Sequence, residues 1–233
     1  MTTKKKDFIE IKFTGCANSQ IFDSNIEEDL KKINPDAKPE KTIIVIGEGM
    51  VVPGLDKALE DKELNKEYEV SFNHKEGFGP RRKELVRIIS LKSFTEQKVN
   101  PHPGMVLALD NNLVKILAVS GARVTTDFNN PLAGKDLTYK FTIIRIVEDE
   151  KEKTETLIKS LFRFLPKYEI KENKVIIKGP KGFEVFINAF KPKFKELLNK
   201  DLDLEEEKPK EKHEGHVHET EEEKTEIKEE DKG

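Results

Sequence analysis

Hydrophobic and polar positions change rhythm several times along the chain. Between Asp7 and Phe13, Ile9, Ile11 and Phe13 alternate with Glu10 and Lys12, the period of a strand with one face on a core. Ile43 to Ile46 reads as a buried strand, followed by a glycine turn and then Met50-Val51-Val52 ahead of a short helix opened by Pro53-Gly54. Leu55, Ala58 and Leu59 recur at i, i+3 and i+4, so that helix has one apolar face. Tyr68, Val70 and Phe72 alternate against Glu67, Glu69 and Ser71 in a further strand that ends at the Gly77-Phe78-Gly79 corner. Before Ile43, a polar loop holds Phe22-Asp23, and residues 24 to 41 read as an irregular connection or short helix broken by Asn34-Pro35-Asp36 and Lys38-Pro39.

After Phe78 the pattern shortens. Leu85 to Leu91, Met105 to Leu109, Leu113 to Val119 and Arg123 to Thr126 are β-like runs punctuated by Asn100-Pro101-His102-Pro103-Gly104, Asp110-Asn111-Asn112 and Ser120-Gly121, enough for a small antiparallel domain. The main body then closes on Leu137, Tyr139, Phe141 and Ile143, one face of a last strand. Leu157, Ile158, Leu161, Phe162, Phe164 and Leu165 keep helical spacing until Pro166; two short strands over 168–171 and 174–178 follow, and Phe183 to Leu197 forms a second amphipathic helix with a kink expected at Pro192. From about Asp203 the chain is Glu/Lys-rich and reads as disordered. The expected organisation is therefore α+β, with a main body over 1–83 and 128–149, an insert over 84–127, a C-terminal helix-strand-strand-helix unit over 150–202 and a tail over 203–233.

Charge and cysteine content narrow the function classes. A net charge of -3 gives no concentrated basic surface for nucleic acid, and the one dense cluster, Arg81-Arg82-Lys83 with Arg87, reads as a solvated hinge. Cys16, the single cysteine, cannot form an internal disulfide, which suits a reducing compartment. The charged N-terminus lacks an apolar signal region, and nothing approaches the ~20 apolar residues of a membrane-spanning helix, so no membrane partner is expected and the protein is placed in the cytoplasm. Other chemistry is poorly supported: Gly47-Glu48-Gly49 invites a dinucleotide reading, but position 52 is Val where that pattern needs glycine, and Cys16 has no basic neighbour to activate it. His213, His216 and His218 in the tail are spaced like a loose metal site.

Gly47, Val51-Val52 and Pro53-Gly54 in that order, with Lys12-Phe13-Thr14-Gly15 and Ile21-Phe22-Asp23-Ser24 upstream, resemble the signature of the FKBP-type peptidyl-prolyl cis/trans isomerases. Downstream, Asn129-Asn130-Pro131-Leu132-Ala133-Gly134-Lys135 resembles the Asn-His-Pro-Leu-Ala-Gly signature of the SlyD-like branch, whose members carry a domain inserted in the flap; the further C-terminal unit makes this a long, archaeal-like variant. The resemblance implies an antiparallel sheet wrapped on one short helix. It also implies a proline pocket of Phe13, Phe22, Val51, Val52, Phe78 and Tyr139 floored by Leu55, with Asp23 as its one acid and the Val52 amide meeting a substrate carbonyl. Leu55 stands where the family usually has Trp, Phe13 and Phe78 where it often has Tyr, and Asn130 where it has His; the floor is looser, two hydroxyl donors are missing, and position 130 shapes the hinge.

The chemistry so implied needs no cofactor. Amide resonance sets a barrier of ~18–20 kcal/mol to rotation about an X-Pro bond. Because resonance separates charge and the twisted transition state does not, an apolar pocket that grips the proline ring favours the twisted form, each ~1.36 kcal/mol of preference giving a factor of ten in rate. The partners implied are unfolded or proline-containing polypeptides, captured by the insert through Met105, Val106, Leu107, Leu109, Leu117 and Val119. A holdase with a vestigial pocket is the alternative. The C-terminal unit, too small to bury much surface alone, is expected to pack against a second copy of the chain or against the rest of this one.

Overall fold

The computed structural model describes residues 2–109 and 112–206. The main body is a five-stranded antiparallel sheet. Its central strand β1 (Phe8–Ala17) pairs on one edge with β3 (Thr42–Val45) through Phe8–Ile11 and with β2 (Gln20–Ser24) through Thr14–Ala17. On its other edge β1 pairs with the long β9 (Leu137–Ile146), which in turn carries β4 (Glu67–Phe72). A short helix α1 (Glu27–Ile33) links β2 to β3, and α2 (Pro53–Ala58) lies across the concave face. Leu137, Tyr139, Phe141 and Ile143 on alternate positions of β9 meet Leu55 of α2 and Leu59, its C-cap, in one core, as period-2 and period-3.6 faces turned toward each other should.

Alternation along β1 turns neighbouring residues to opposite faces, and here both faces are covered. Ile9 joins the core under α2, while Phe8 packs with Val45 and Val147 in a separate cluster against Leu197 and Leu198 of the C-terminal unit.

The insert is a four-stranded antiparallel sheet, β5 (Val86–Ser90), β8 (Arg123–Asp127), β7 (Asn112–Ser120) and β6 (Val106–Leu109) in that spatial order. A helix that the strand pattern did not announce, α3 (Leu91–Glu96), starts at Ser90, whose hydroxyl accepts from the Lys92 amide. Its Phe94 fills the small core with Ile116 and Val124, a volume that one layer of strands cannot fill alone. Of the apolar residues expected to face a client, Met105, Leu107, Leu109 and Val119 pack on this core, whereas Val106 and Leu117 are exposed.

The C-terminal unit departs from the expectation twice. Helix α4 (Glu150–Phe162) ends at Arg163, which takes a left-handed cap conformation (φ 64°), so Phe164 and Leu165 lie beyond the helix despite their spacing. After β10 (Tyr168–Lys171), β11 (Lys174–Gly179) and α5 (Glu184–Leu198), which remains helical through Pro192, the chain enters a third strand instead of a disordered tail. This β12 (Asp201–Glu206) runs parallel to β11 and buries Leu202, an alternating pattern too short and too acidic to stand out from the sequence that follows. The rest of the expected tail, with His213, His216 and His218, lies outside the described residues.

Candidate functional site

Phe13 on β1, Asp23 on β2, Val51 and Val52 ahead of α2, Leu55 on α2, Phe78 at the corner after β4 and Tyr139 on β9 line one hollow of about 330 Å³, joined by Met50. Seven of the eight residues expected at a pocket thus converge on one place, although they come from five separate stretches of chain. The eighth, Phe22, stands behind the wall: its ring packs edge-on against Phe78 (6.0 Å, 81°) and against Tyr139 (5.8 Å, 88°). Phe13 is tilted against Tyr139 at 6.1 Å. Rings set edge to face lock one another's orientation, so the wall is held by aromatic contacts on both sides of Tyr139.

Two glycines make that packing possible. A Cβ on Gly15 would lie 2.9 Å from both Phe22 Cζ and Tyr139 Cε1. One on Gly54 would lie 2.4 Å from Phe72 Cγ, and Phe72 is itself stacked on Tyr139 (5.8 Å, 12°). Gly54 therefore lets α2 settle onto the Phe72–Tyr139 stack, which brings Leu55 to the floor of the hollow, where it is 1% exposed.

The polar groups at the hollow are few. Burial and the nearby Asp23 charge push the Tyr139 hydroxyl well above its ordinary pKa, so it stays protonated, and it has no hydrogen-bond partner among the described residues. Asp23 is exposed on its outer side, yet desolvation by the wall raises its carboxyl above the ordinary aspartate value, opposed by a hydrogen bond from the Ser24 amide. Val52 caps α2 in an extended conformation (φ -60°, ψ 144°); its carbonyl accepts from Asp56, while its own amide finds no acceptor among the described residues. A protonated hydroxyl and a backbone amide are thus left as donors beside an apolar hollow.

Two features of the site escaped the sequence reading. Asp56, 9% exposed, accepts from the amides of Gly47 (2.8 Å) and Gly49 (3.1 Å), both at positive φ (83° and 67°), and so ties the glycine turn to α2. An acid in the first turn of a helix just after such a turn is the signal that could have found it, since the turn's amides need an acceptor. Met50 adjoins the Val51-Val52 pair; its thioether accepts from the Val45 amide at 3.4 Å.

A larger hollow of about 450 Å³ lies where the insert joins the body, walled by the hinge on one side and by Val106 and Leu113 of the insert sheet on the other. There Asn129 donates to the Arg82 carbonyl (3.0 Å) and to Asp127 Oδ1 (2.7 Å) and accepts from the Arg82 amide (2.8 Å), while Arg81 is paired with Asp127. Asn130 folds its carboxamide oxygen onto the Leu132 amide (2.8 Å), a turn-forming contact. Among the described residues no group of three His, Cys, Asp or Glu side chains is placed to hold a metal ion, and no helix is long and apolar enough to cross a membrane.

Comparison with known proteins agrees with this geometry. Residues 1–93 match the family model of the FKBP-type peptidyl-prolyl cis-trans isomerase, and residues 87–132 match the model described as the FKBP26 IF domain. The chain is 30% identical over 143 residues to the short-type peptidyl-prolyl cis-trans isomerase of Methanocaldococcus jannaschii, covering 60% of this chain and 90% of that one. It is 24% identical over 154 residues to the isomerase SlyD of Helicobacter pylori, covering 64% of this chain and 76% of that one. With SlyD of Yersinia pestis it shares 31% identity over 113 residues, 46% of this chain and 56% of that one, so the match spans just over half of that relative's length. Sheet, helix, glycine turn and aromatic hollow together with these matches lead to one statement: the chain belongs to the FKBP-type peptidyl-prolyl cis-trans isomerases.

Proposed function

We propose that the hollow between β9 and α2 is where this peptidyl-prolyl cis-trans isomerase turns its substrate, with the proline ring seated against Tyr139, Phe13 and Phe78 and resting on Leu55. The observation that carries this reading is the convergence of those side chains with Val51, Val52 and Asp23 on one apolar space. Its volume, about 330 Å³, sits at the small end of the ~300–1,000 Å³ typical of small-ligand pockets. The wall removes water from the imide and stabilises the twisted, less charge-separated state; the Val52 amide and the Tyr139 hydroxyl hold a substrate carbonyl in register. No covalent step and no proton transfer takes part.

The insert supplies the substrate. Ile88, Val106 and Leu113 are 65%, 56% and 61% exposed, an apolar surface fitted to unfolded chain, and covalent attachment beside the hollow raises the local concentration of proline segments. A proline-limited refolding reaction should accelerate with catalytic amounts of protein, and Asp23→Ala with Phe78→Ala should abolish the acceleration. Deleting residues 84–127 should abolish suppression of aggregation and leave isomerisation of a short peptide intact. If the double variant still accelerates refolding, the hollow is not the site; if aggregation is suppressed only near stoichiometric ratios and no peptide is isomerised, the chain is a holdase.

Two finer points complete the reading. Phe164, Val185 and Phe186 on the C-terminal unit are 51%, 73% and 53% exposed around a ring cluster of Phe162, Phe183 and Phe190, which supports pairing of two copies through this face. Size-exclusion of the chain truncated at residue 150 against the full chain tests it, an unchanged oligomeric state counting against it. The lone Cys16 fits a reducing compartment, the cytoplasm.

A further inference from the structure

The glycine turn that delivers Val51 and Val52 to the hollow is held from two sides. Asp56 of α2 holds the amides of Gly47 and Gly49 from within the main body. From outside, Lys193 of α5 reaches across to Glu48, whose side chain is only 11% exposed beneath it. Lys193 also approaches Glu196 (3.6 Å), and Glu196 pairs with Lys6 (2.9 Å) at the entrance to β1, so one face of α5 is pinned to the body at both ends of the turn's surroundings. Between these anchors stands Met50. Its side chain lines the hollow, yet it also packs against the core of the C-terminal unit and against the Phe8–Val45–Val147 cluster. On its far side it borders a groove of about 480 Å³ shared with Glu155, Thr156 and Lys159 of α4. An unbranched thioether has three rotatable bonds and takes the shape its neighbours leave it, so where Met50 sits in the hollow depends on what the C-terminal unit presses against it.

We propose that the C-terminal unit is a positioning element of the isomerase site: Lys193, through Glu48, holds the turn over residues 47–50, and Met50 so held forms one wall contact for the bound peptide. This rests on the isomerase reading above and adds a residue set drawn from outside the catalytic domain. The geometry favours positioning over mere surface pairing, because the carboxylate partner is nearly buried and belongs to the turn that leads directly into the pocket wall.

The test uses the full chain and the peptide succinyl-Ala-Leu-Pro-Phe-4-nitroanilide, with methyl-13C methionine as a second readout; Met50 is one of three methionines and is assigned by Met50→Leu. In the wild type the Met50 methyl signal should move when peptide is added. Lys193→Gln should lower kcat/KM about fivefold, carried mainly by KM, the scale expected of one ion pair of about 1 kcal/mol, and should shift the Met50 signal of the free protein. Glu48→Gln, which leaves the core of the C-terminal unit untouched, should do the same, and Glu48→Lys with Lys193→Glu should restore both readouts. Lys174→Gln, which breaks an ion pair with Asp203 inside the C-terminal unit, should change neither. Wild-type kcat/KM and an unmoved Met50 signal in Glu48→Gln overturn the proposal, as does a charge swap that restores nothing. If the wild type itself isomerises no peptide, the isomerase reading fails first, and the Met50 shift on peptide addition still decides whether this wall meets the ligand.

Discussion

The main body and the insert use the same kinds of side chain in opposite ways. In the body, Phe13, Leu55 and Tyr139 are 9%, 1% and 4% exposed, sunk into a concave surface whose shape is set by ring-on-ring contacts. In the insert, Ile88, Val106 and Leu113 project from a thin sheet whose buried core is Phe94, Ile116 and Val124, too little to cover both faces. A recessed apolar surface discriminates by geometry and can favour one conformation of what it holds. A projecting one gains roughly in proportion to the area it covers and takes whatever apolar chain is offered. The difference teaches that hydrophobicity alone does not separate a surface able to select one conformation from one open to any apolar chain; support from behind does.

The largest test of that support is Gly54→Ala. Alanine gains up to ~1 kcal/mol over glycine in a helix, but here its Cβ would lie 2.4 Å from the Phe72 ring, and overpacking in a filled core costs ~1–3 kcal/mol or more. The clash wins: a net loss of about 2 kcal/mol and a peptide-isomerisation rate down more than tenfold are expected. A chemical denaturation curve and a peptide assay read both, and a variant as stable and as fast as the wild type would show that α2 does not depend on this close approach. Gly15→Ala is milder, since the atoms it meets at 2.9 Å are the far edges of Phe22 and Tyr139, which can tilt. It should cost about 1 kcal/mol of stability yet lower the rate severalfold, because those rings are the wall. Equal, small losses in both would make the wall's orientation irrelevant to rate.

How far the sequence could carry the reading follows from the same contrast. Side chains that alternate or repeat on a face announce themselves, which is why Leu137, Tyr139, Phe141 and Ile143 were legible as one strand face and Leu55 and Leu59 as one helix face. The ordered glycine, aliphatic and aromatic motifs then placed the pocket residues by resemblance. What stayed hidden was contact between elements distant in the chain. Nothing local marks Met50 as shared between three cores or Phe94 as the plug of the insert. β12 was missed because Leu202 and Leu204 alternate for only six residues at the edge of a Glu/Lys-rich stretch, and it is the parallel partner β11 that makes a strand of them.

On the projecting side, Val106→Ser with Leu113→Ser should leave the fold nearly untouched, within about 0.5 kcal/mol, because both side chains are more than half exposed. Peptide isomerisation should be unchanged while suppression of aggregation weakens severalfold, measured by light scattering of a thermally unfolded client. A loss of peptide turnover in this variant would mean that the two surfaces form one binding site.

The smallest effect is electrostatic and belongs to the recessed side alone. Desolvation by the hollow raises the Asp23 carboxyl above its ordinary value of 3.8, against the pull of the Ser24 amide. A carboxyl whose pKa is higher folded than unfolded holds its proton more tightly in the folded state, so its contribution to stability is complete below about pH 4 and is lost as pH rises through the folded value. Asp23→Asn has no charge to desolvate. Its melting temperature should therefore match that of the wild type most closely near pH 3 and exceed it slightly near pH 7, where the wild-type side chain is ionised. Melting curves of the two proteins that keep a constant offset across that range would show that the wall does not dehydrate the carboxylate, and an imide bound in the same place would then gain nothing from exclusion of water.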